Sequence, residues 1–192
     1  NTTADKNIAV GYEALVGNTT GTQLTSIGYQ ALDANTTGNH NTALGCWALT
    51  NNSSGQQNVA IGQNSLFDNS TADHNTAVGY GALQDNTTAD KGTAVGYHSA
   101  YANTTGVRGT HIGYDAGYSN TTGGYNVNVG YTAGRTNTTG VNNTKVGYEA
   151  GYFGSTGSDN TLIGKYAAGN ITQGGNNTCI GAGAGADAVM AI

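Results

Sequence analysis

Apolar residues return along this chain with a period of seventeen. Written in rows of seventeen from Asn1, the tenth column holds only Val, Ile or Leu: Val10, Ile27, Leu44, Ile61, Val78, Val95, Ile112, Val129, Val146, Ile163 and Ile180. The eighth column is always β-branched, from Ile8 and Thr25 to Thr178. Residues two apart on an extended chain share a face. Each row therefore predicts a strand, roughly from column seven to column twelve, with columns eight and ten pointing inward and column ten as the structural core. Column fourteen is Ala or Ser in every row, which predicts a tight place. Between these lies a polar Asn-Thr-Thr-Gly stretch that suits a turn. Asn in columns one and seven is placed to form amide ladders along a stacking axis.

Column eleven is glycine in every row: Gly11, Gly28, Gly45, Gly62, Gly79, Gly96, Gly113, Gly130, Gly147, Gly164 and Gly181. Such a residue answers either a positive φ or the close approach of another backbone. A register kept without insertion is the mark of stacked, equivalent coils. The expected fold is all-β, a parallel β-solenoid (β-roll) of eleven 17-residue coils spanning 1–187, with 188–192 as a cap or a junction to a further domain. At about 4.8 Å per coil the rod would be roughly 53 Å long.

Composition supports this. The chain has 32 glycines among 192 residues and no proline, and Asn, Thr, Gly and Val are poor helix formers. The net charge of −5 is spread along the chain, which speaks against nucleic acid, a partner that demands clustered Lys and Arg. No run of about 18 apolar residues predicts membrane insertion. The lack of an initiator Met suggests a segment of a longer or processed protein. Cys46 and Cys179 lie eight coils apart, roughly 38 Å at the strand spacing, and no intrachain disulfide is expected.

The columns drift. Column fifteen is Leu in the first five rows (Leu15, Leu32, Leu49, Leu66, Leu83) and Ala or Gly afterwards (Ala100, Gly117, Gly134, Gly151, Ala168, Gly185). Tyr enters column sixteen at Tyr101, Tyr118 and Tyr152. This reads as one continuous domain with two packing variants. A coil this small encloses little apolar volume, and small residues in columns eleven, fourteen and fifteen would let neighbouring chains approach, so intertwined or tightly packed chains, three in number, are expected.

Tyrosine fills column twelve at Tyr12, Tyr29, Tyr80, Tyr97, Tyr114, Tyr131 and Tyr148. These rings would either pack between chains or form a ribbon that stacks on glycans. Asp73 and Asp90, like Asp68 and Asp85, share a column in adjacent coils, about 5 Å apart, a spacing compatible with a retaining-glycosidase pair or a cation site but explained by the repeat itself. His40 and His74 are too far apart for one zinc ion. Three copies of His111 would ring an ion only if column nine faced a three-fold axis. The Asn-x-Ser/Thr sequons at Asn18, Asn86, Asn103 and Asn137 fit turn chemistry or glycosylation. Ice binding calls for paired Thr files on one face. Here the Thr pairs are adjacent, and column ten, beside the single file of column eight, is expected to be buried. No catalytic residue, metal ligand or cofactor is assigned.

The phrases NTAVGYGAL, NTALGCWAL and NVAIGQNSL resemble the head repeats of trimeric autotransporter adhesins of the YadA type, and the repeats of phage tail fibres and predatory-bacterial fibre proteins. The resemblance covers essentially all eleven units, although those heads usually use shorter ones. It implies a trimeric, left-handed parallel β-roll on a cell or virion surface. The expected function is that of a non-enzymatic structural or adhesive fibre segment, extracellular, mediating attachment to a host or substratum through a cell-surface glycan or protein receptor. The alternative is a carbohydrate- or ice-binding solenoid acting through its Tyr or Thr face.

Overall fold

A computed structural model describes residues 4–170 and 172–185; the expected cap at 188–192 lies outside them. Eleven three-residue strands, beginning with Ile8–Val10 and Thr25–Ile27 and ending with Thr161–Ile163 and Thr178–Ile180, form a single parallel sheet in chain order. Each strand pairs with the next at a register shift of one repeat, as in Ile8↔Thr25 and Val78↔Val95. Hydrogen bonding between coils continues outside the strands. Leu32 N–H donates to Ala48 O at 3.1 Å, and Gln30 N–H reaches Tyr12 O at 2.9 Å.

The strands are shorter than expected because the backbone turns at fixed columns. Columns six, thirteen and fifteen are left-handed in coil after coil, including Trp47 (φ 56°), Thr132 (φ 49°) and Leu66 (φ 50°). Left-handed backbone costs a non-glycine residue roughly 1–2 kcal/mol, so the stacking has to hold these turns in place. Column eleven answers both of its possible demands at once. Gly96 has φ +135°, and a Cβ there would sit 2.4 Å from Gly113 O in the next coil. The glycines of column four need space only: a Cβ on Gly38 would meet Gly55 O at 2.3 Å.

The strand faces the opposite way from the sequence-based expectation. Column nine points inward: Ser26, Ala43, Ala60, Ala77 and Ala94 are fully buried. Column ten lies outside. Val10, Ile27, Leu44, Val95, Ile112, Ile163 and Ile180 are 36–67% exposed, and Ile61, Val78, Val129 and Val146 are half-buried. The eleven aliphatics expected as the structural core are therefore an outer face. The interior is instead closed by columns nine, fourteen and fifteen and by asparagines, most of whose amides are satisfied within the stack. Column one forms a continuous ladder in which each Asn Nδ2 donates to the Oδ1 of the Asn one coil earlier, from Asn35→Asn18 (2.9 Å) to Asn137→Asn120 (2.9 Å). Column seven behaves likewise, with Asn58→Asn41 at 3.2 Å and Asn177→Asn160 at 2.8 Å. Columns fourteen and fifteen thus face the interior, and a Cβ in column eleven would meet the next coil.

The drift in column fifteen has its cause across the interior. Where column fifteen is Leu, column nine is small: Ala43 with Leu49, Ala60 with Leu66, Ala77 with Leu83. Coil six is small in both places, with Ala94 and Ala100, and from coil seven on, where column fifteen is Gly or Ala, column nine grows into His111, Asn128, Lys145, Leu162 and Cys179. A Cβ on Gly117 would lie 2.1 Å from His111 Nδ1, and one on Gly134 would lie 2.2 Å from Asn128 Oδ1. Interiors are packed to crystal-like density, so one place can enlarge only as its neighbour empties. Cys179 is buried in this file, and both cysteines are free.

His111 and Lys145 are thereby titratable groups inside the rod. The His111 ring shares a 3.0 Å hydrogen bond with Asn128 Nδ2. Desolvation, with a smaller push from Lys145, lowers its pKa from 6.5 to about 4. Burial lowers Lys145 from 10.5 to about 8. Both pKa values are depressed on folding, so the unfolded chain binds the extra proton and stability falls on acidification. For His111 the loss runs from pH 6.5 down to about 4 and is on the order of 3 kcal/mol. For Lys145 it runs from pH 10.5 down to about 8, so stability rises as the pH is raised through that range. Urea unfolding as a function of pH should show both slopes, and His111→Gln should flatten only the acidic one.

Candidate functional site

Two surfaces stand out. The first is the outer sheet face. Columns eight and ten share it, with column eight half-buried along most of the rod. Just past the column-eleven glycine, the column-twelve tyrosines follow at 40–63% exposure. Their rings stack on one another. Tyr80, Tyr97, Tyr114, Tyr131 and Tyr148 form an unbroken pile with centroids 5.2–5.3 Å apart and ring planes within 7–13°. Tyr12 and Tyr29 form a second stack at 5.3 Å. Cys46 and Gln63 separate the two. A ring inside such a pile spends both π-faces on its neighbours and shows its edge and hydroxyl to the outside. Sugar stacking needs a free face, so of the two readings of this column the pile leaves edges and hydroxyls, rather than faces, for a glycan or a neighbouring chain. Tyr148, hydrogen-bonded to and charged against Glu149, has its pKa pushed up to about 12, which keeps its hydroxyl protonated.

The second surface is the corner between columns thirteen and sixteen, where the repeat departs most from uniformity. Column thirteen reads Glu, Gln, Trp, Asn, Gly, His, Asp, Thr, Glu, Tyr, Gly. This variation on a constant frame was the one signal in the sequence that could have marked the corner. Three stations lie along it. In coils two to four, Gln30, Trp47, Thr50, Asn64 and Phe67 line a cleft of about 300 Å³. The Trp47 indole N–H donates to Gln30 Oε1 at 2.8 Å, and Gln30 Nε2 donates to Glu13 Oε2 at 2.7 Å. Thr50 Oγ1 donates to the Gln30 carbonyl at 2.9 Å. Asn64 Oδ1 is buried and has no hydrogen-bond partner.

In coils six to eight the same corner carries charge. Arg135 Nε donates to Asp115 Oδ2 at 3.2 Å, and its guanidinium lies 5.1 Å from the Tyr118 ring centroid. His98 Nδ1 stands 3.8 Å from Asp115 Oδ1. Burial pushes the His98 pKa down, with Asp115 opposing. The Tyr101 and Tyr118 rings stack at 5.2 Å. Near the far end, Glu149, Tyr152, Phe153, Tyr166, Gly169, Asn170 and Gly183 surround a second cleft of about 340 Å³.

The remaining candidates resolve into structure. Asp73 and Asp90 are each engaged by the preceding coil: Gln56 N–H donates to Asp73 Oδ1 and Asp73 N–H to Asp90 Oδ1, both at 2.7 Å. Asp68 accepts from Asn51 Nδ2 at 2.9 Å. Burial raises the Asp85 pKa. His40 and His74 are exposed, left-handed turn residues. His111 points into its own coil and so cannot ring an ion on an axis between chains. The four sequon asparagines are buried in the column-one ladder, closed to a glycan once the chain is folded. Among the described residues no group of three or more His, Cys, Asp or Glu could hold a metal ion, and no helix is long and apolar enough to cross a membrane.

Compared with protein families, curated proteins and solved structures, the chain matches none of them.

Proposed function

We propose that this chain is a non-enzymatic, extracellular segment of an attachment fibre that works as a homotrimer of β-solenoid rods. The carrying observation is the exposed aliphatic column ten. Eleven branched apolar side chains in register, flanked by half-buried Thr and Val, form a continuous apolar stripe of the kind that marks association surfaces. In a trimer three such stripes meet along the axis, supplying the core that a single coil is too narrow to build. Three chains, rather than two, follow the resemblance to trimeric adhesin heads and tail fibres, as does a left-handed winding. A rod of this kind displays one corner to the outside many times over, which suits weak multivalent attachment to a glycan or protein receptor.

Light scattering tests the assembly. The expected mass is three times the 19.3 kDa of one chain, and a stable monomer would overturn the reading. Ile112→Glu with Val129→Glu should give monomers with unchanged coil structure, because both side chains leave the sheet face outward and no packing inside the coil is touched. A second reading has support from the same face. Columns eight and ten, Thr beside Val, Ile or Leu on eight of the eleven rungs, make a repetitive array of the kind that ice binding requires, now that column ten is found outside. Thermal hysteresis of the purified protein would favour that use over chain association.

A further inference from the structure

We propose that the cleft lined by Trp47 and Phe67 is a binding site for a neutral sugar unit of a glycan. This deepens the attachment reading and rests on it for its biological sense, while the chemistry of the cleft stands apart from chain assembly. The lining is amphipathic in the manner of a carbohydrate site. Two aromatic side chains, Trp47 and Phe67, supply apolar surface for the C–H face of a pyranose. Thr50 and the amides of Gln30 and Asn64 add polar groups to its lining.

The parts are held before any ligand arrives. Glu13 fixes Gln30, Gln30 fixes the Trp47 indole N–H, and Thr50 ties the Gln30 backbone. Trp47 meets Tyr29 edge-on, at 87° and 5.8 Å, outside the parallel Tyr12–Tyr29 stack. Asn64 Oδ1 lacks a donor. Leaving a buried acceptor unpaired costs about 1–3 kcal/mol. A ligand hydroxyl, reached by rotation about the soft terminal torsion of Asn64, would recover it.

Other occupants fit less well. No cationic side chain lines the cleft, which disfavours nucleic acid and anionic polymers. A peptide adding as a strand needs a free sheet edge, and on both sides of this place the backbone is bonded to the next coil, as in Trp47 N–H→Tyr29 O and Asn64 N–H→Cys46 O. The volume of about 300 Å³ is at the lower end of small-molecule sites, suited to one or two sugar rings.

Trp47 is the chain's only tryptophan, so its emission reports on this cleft alone. The native protein is titrated with neutral oligosaccharides built from glucose, galactose, mannose and N-acetylglucosamine, and with a sialylated and a sulfated oligosaccharide. The expected result is a saturable change in Trp47 emission with at least one neutral sugar. Phe67→Ala should weaken it about tenfold and Asn64→Ala severalfold, while Tyr114→Ala leaves it unchanged. Thermal unfolding of each variant separates lost binding from lost fold, and the milder Asn64→Ala carries the test if Phe67→Ala does not fold. Absence of saturation with every neutral sugar, preference for the anionic probes, or native affinity in folded Phe67→Ala and Asn64→Ala would each overturn the proposal. Light scattering on the same samples reports the assembly separately, so a monomer that binds sugar removes the fibre reading and leaves the cleft.

Discussion

Gly96→Ala is expected to destabilise the rod by at least ~4 kcal/mol, enough to prevent accumulation of folded protein at 37 °C. Two independent penalties coincide. The backbone at φ +135° belongs to a region that L side chains rarely adopt, and the new methyl would lie 2.4 Å from Gly113 O and 2.7 Å from Gly113 C. Neither can relax alone, because Gly96 N–H is bonded to Val78 O at 2.8 Å and Gly113 N–H to Val95 O at 2.8 Å. Moving one coil moves the next. Gly169→Ala is the matched control: it lacks the positive φ, and its Cβ would meet only Tyr166 O at an ordinary 3.6 Å. Urea unfolding of the two variants should differ by several kcal/mol, and a mild Gly96→Ala would mean that the coils are not locked in this register.

The second large effect is a rescue. Gly117→Leu should cost at least ~3 kcal/mol, because even its first carbon would lie 2.1 Å from His111 Nδ1. Left-handed backbone adds a smaller part of this cost, one that the fold tolerates in the same column at Leu83, with φ 50°. His111→Ala alone should also destabilise, by leaving a cavity and removing the partner of Asn128 Nδ2. Combined, the two substitutions recreate the Ala and Leu pairing found at Ala77 and Leu83, and more than half of the loss should return. A double-mutant cycle reads this as a coupling energy of opposite sign to the single losses. Additive losses would show that columns nine and fifteen do not share one interior space.

Much of the fold was legible because a solenoid is a translation along one axis. The period, parallel strands within columns seven to twelve and the Asn ladders all follow from what repeats. The inside and outside of the strand did not follow. Val10 to Ile180 are the most apolar column, and hydrophobicity assigns them to the core. Yet the coil is too narrow to enclose a branched aliphatic beside Leu49 or Leu66, so alanine takes that place and the aliphatics are left to the surface. Column nine concealed itself further by its contents: Ser26, His111, Asn128 and Lys145 do not resemble core residues, and only their trade with column fifteen shows what they fill. The turns were hidden too, since Glu13, Trp47 and Thr132 carry no sign of left-handed backbone. The candidate sites on column twelve were judged by composition, which cannot tell a free ring from one sandwiched by its neighbours. The cleft at Trp47 lay in residues that the consensus discards.

The asparagine files have one further consequence. Column seven is interrupted at Leu24, Gly92 and Gly109, and column one stops at Asn137, whose Oδ1 has no partner because Gly154 stands in the next row. These gaps never coincide. Column one runs unbroken past those in column seven, and the Asn143, Asn160 and Asn177 links carry on past the end of column one. Like planks laid with staggered joints, the two files leave no fault plane from coil two to coil eleven across which every internal amide bond is missing. Under tension such a rod should tear at no preferred midpoint and should instead peel from an end.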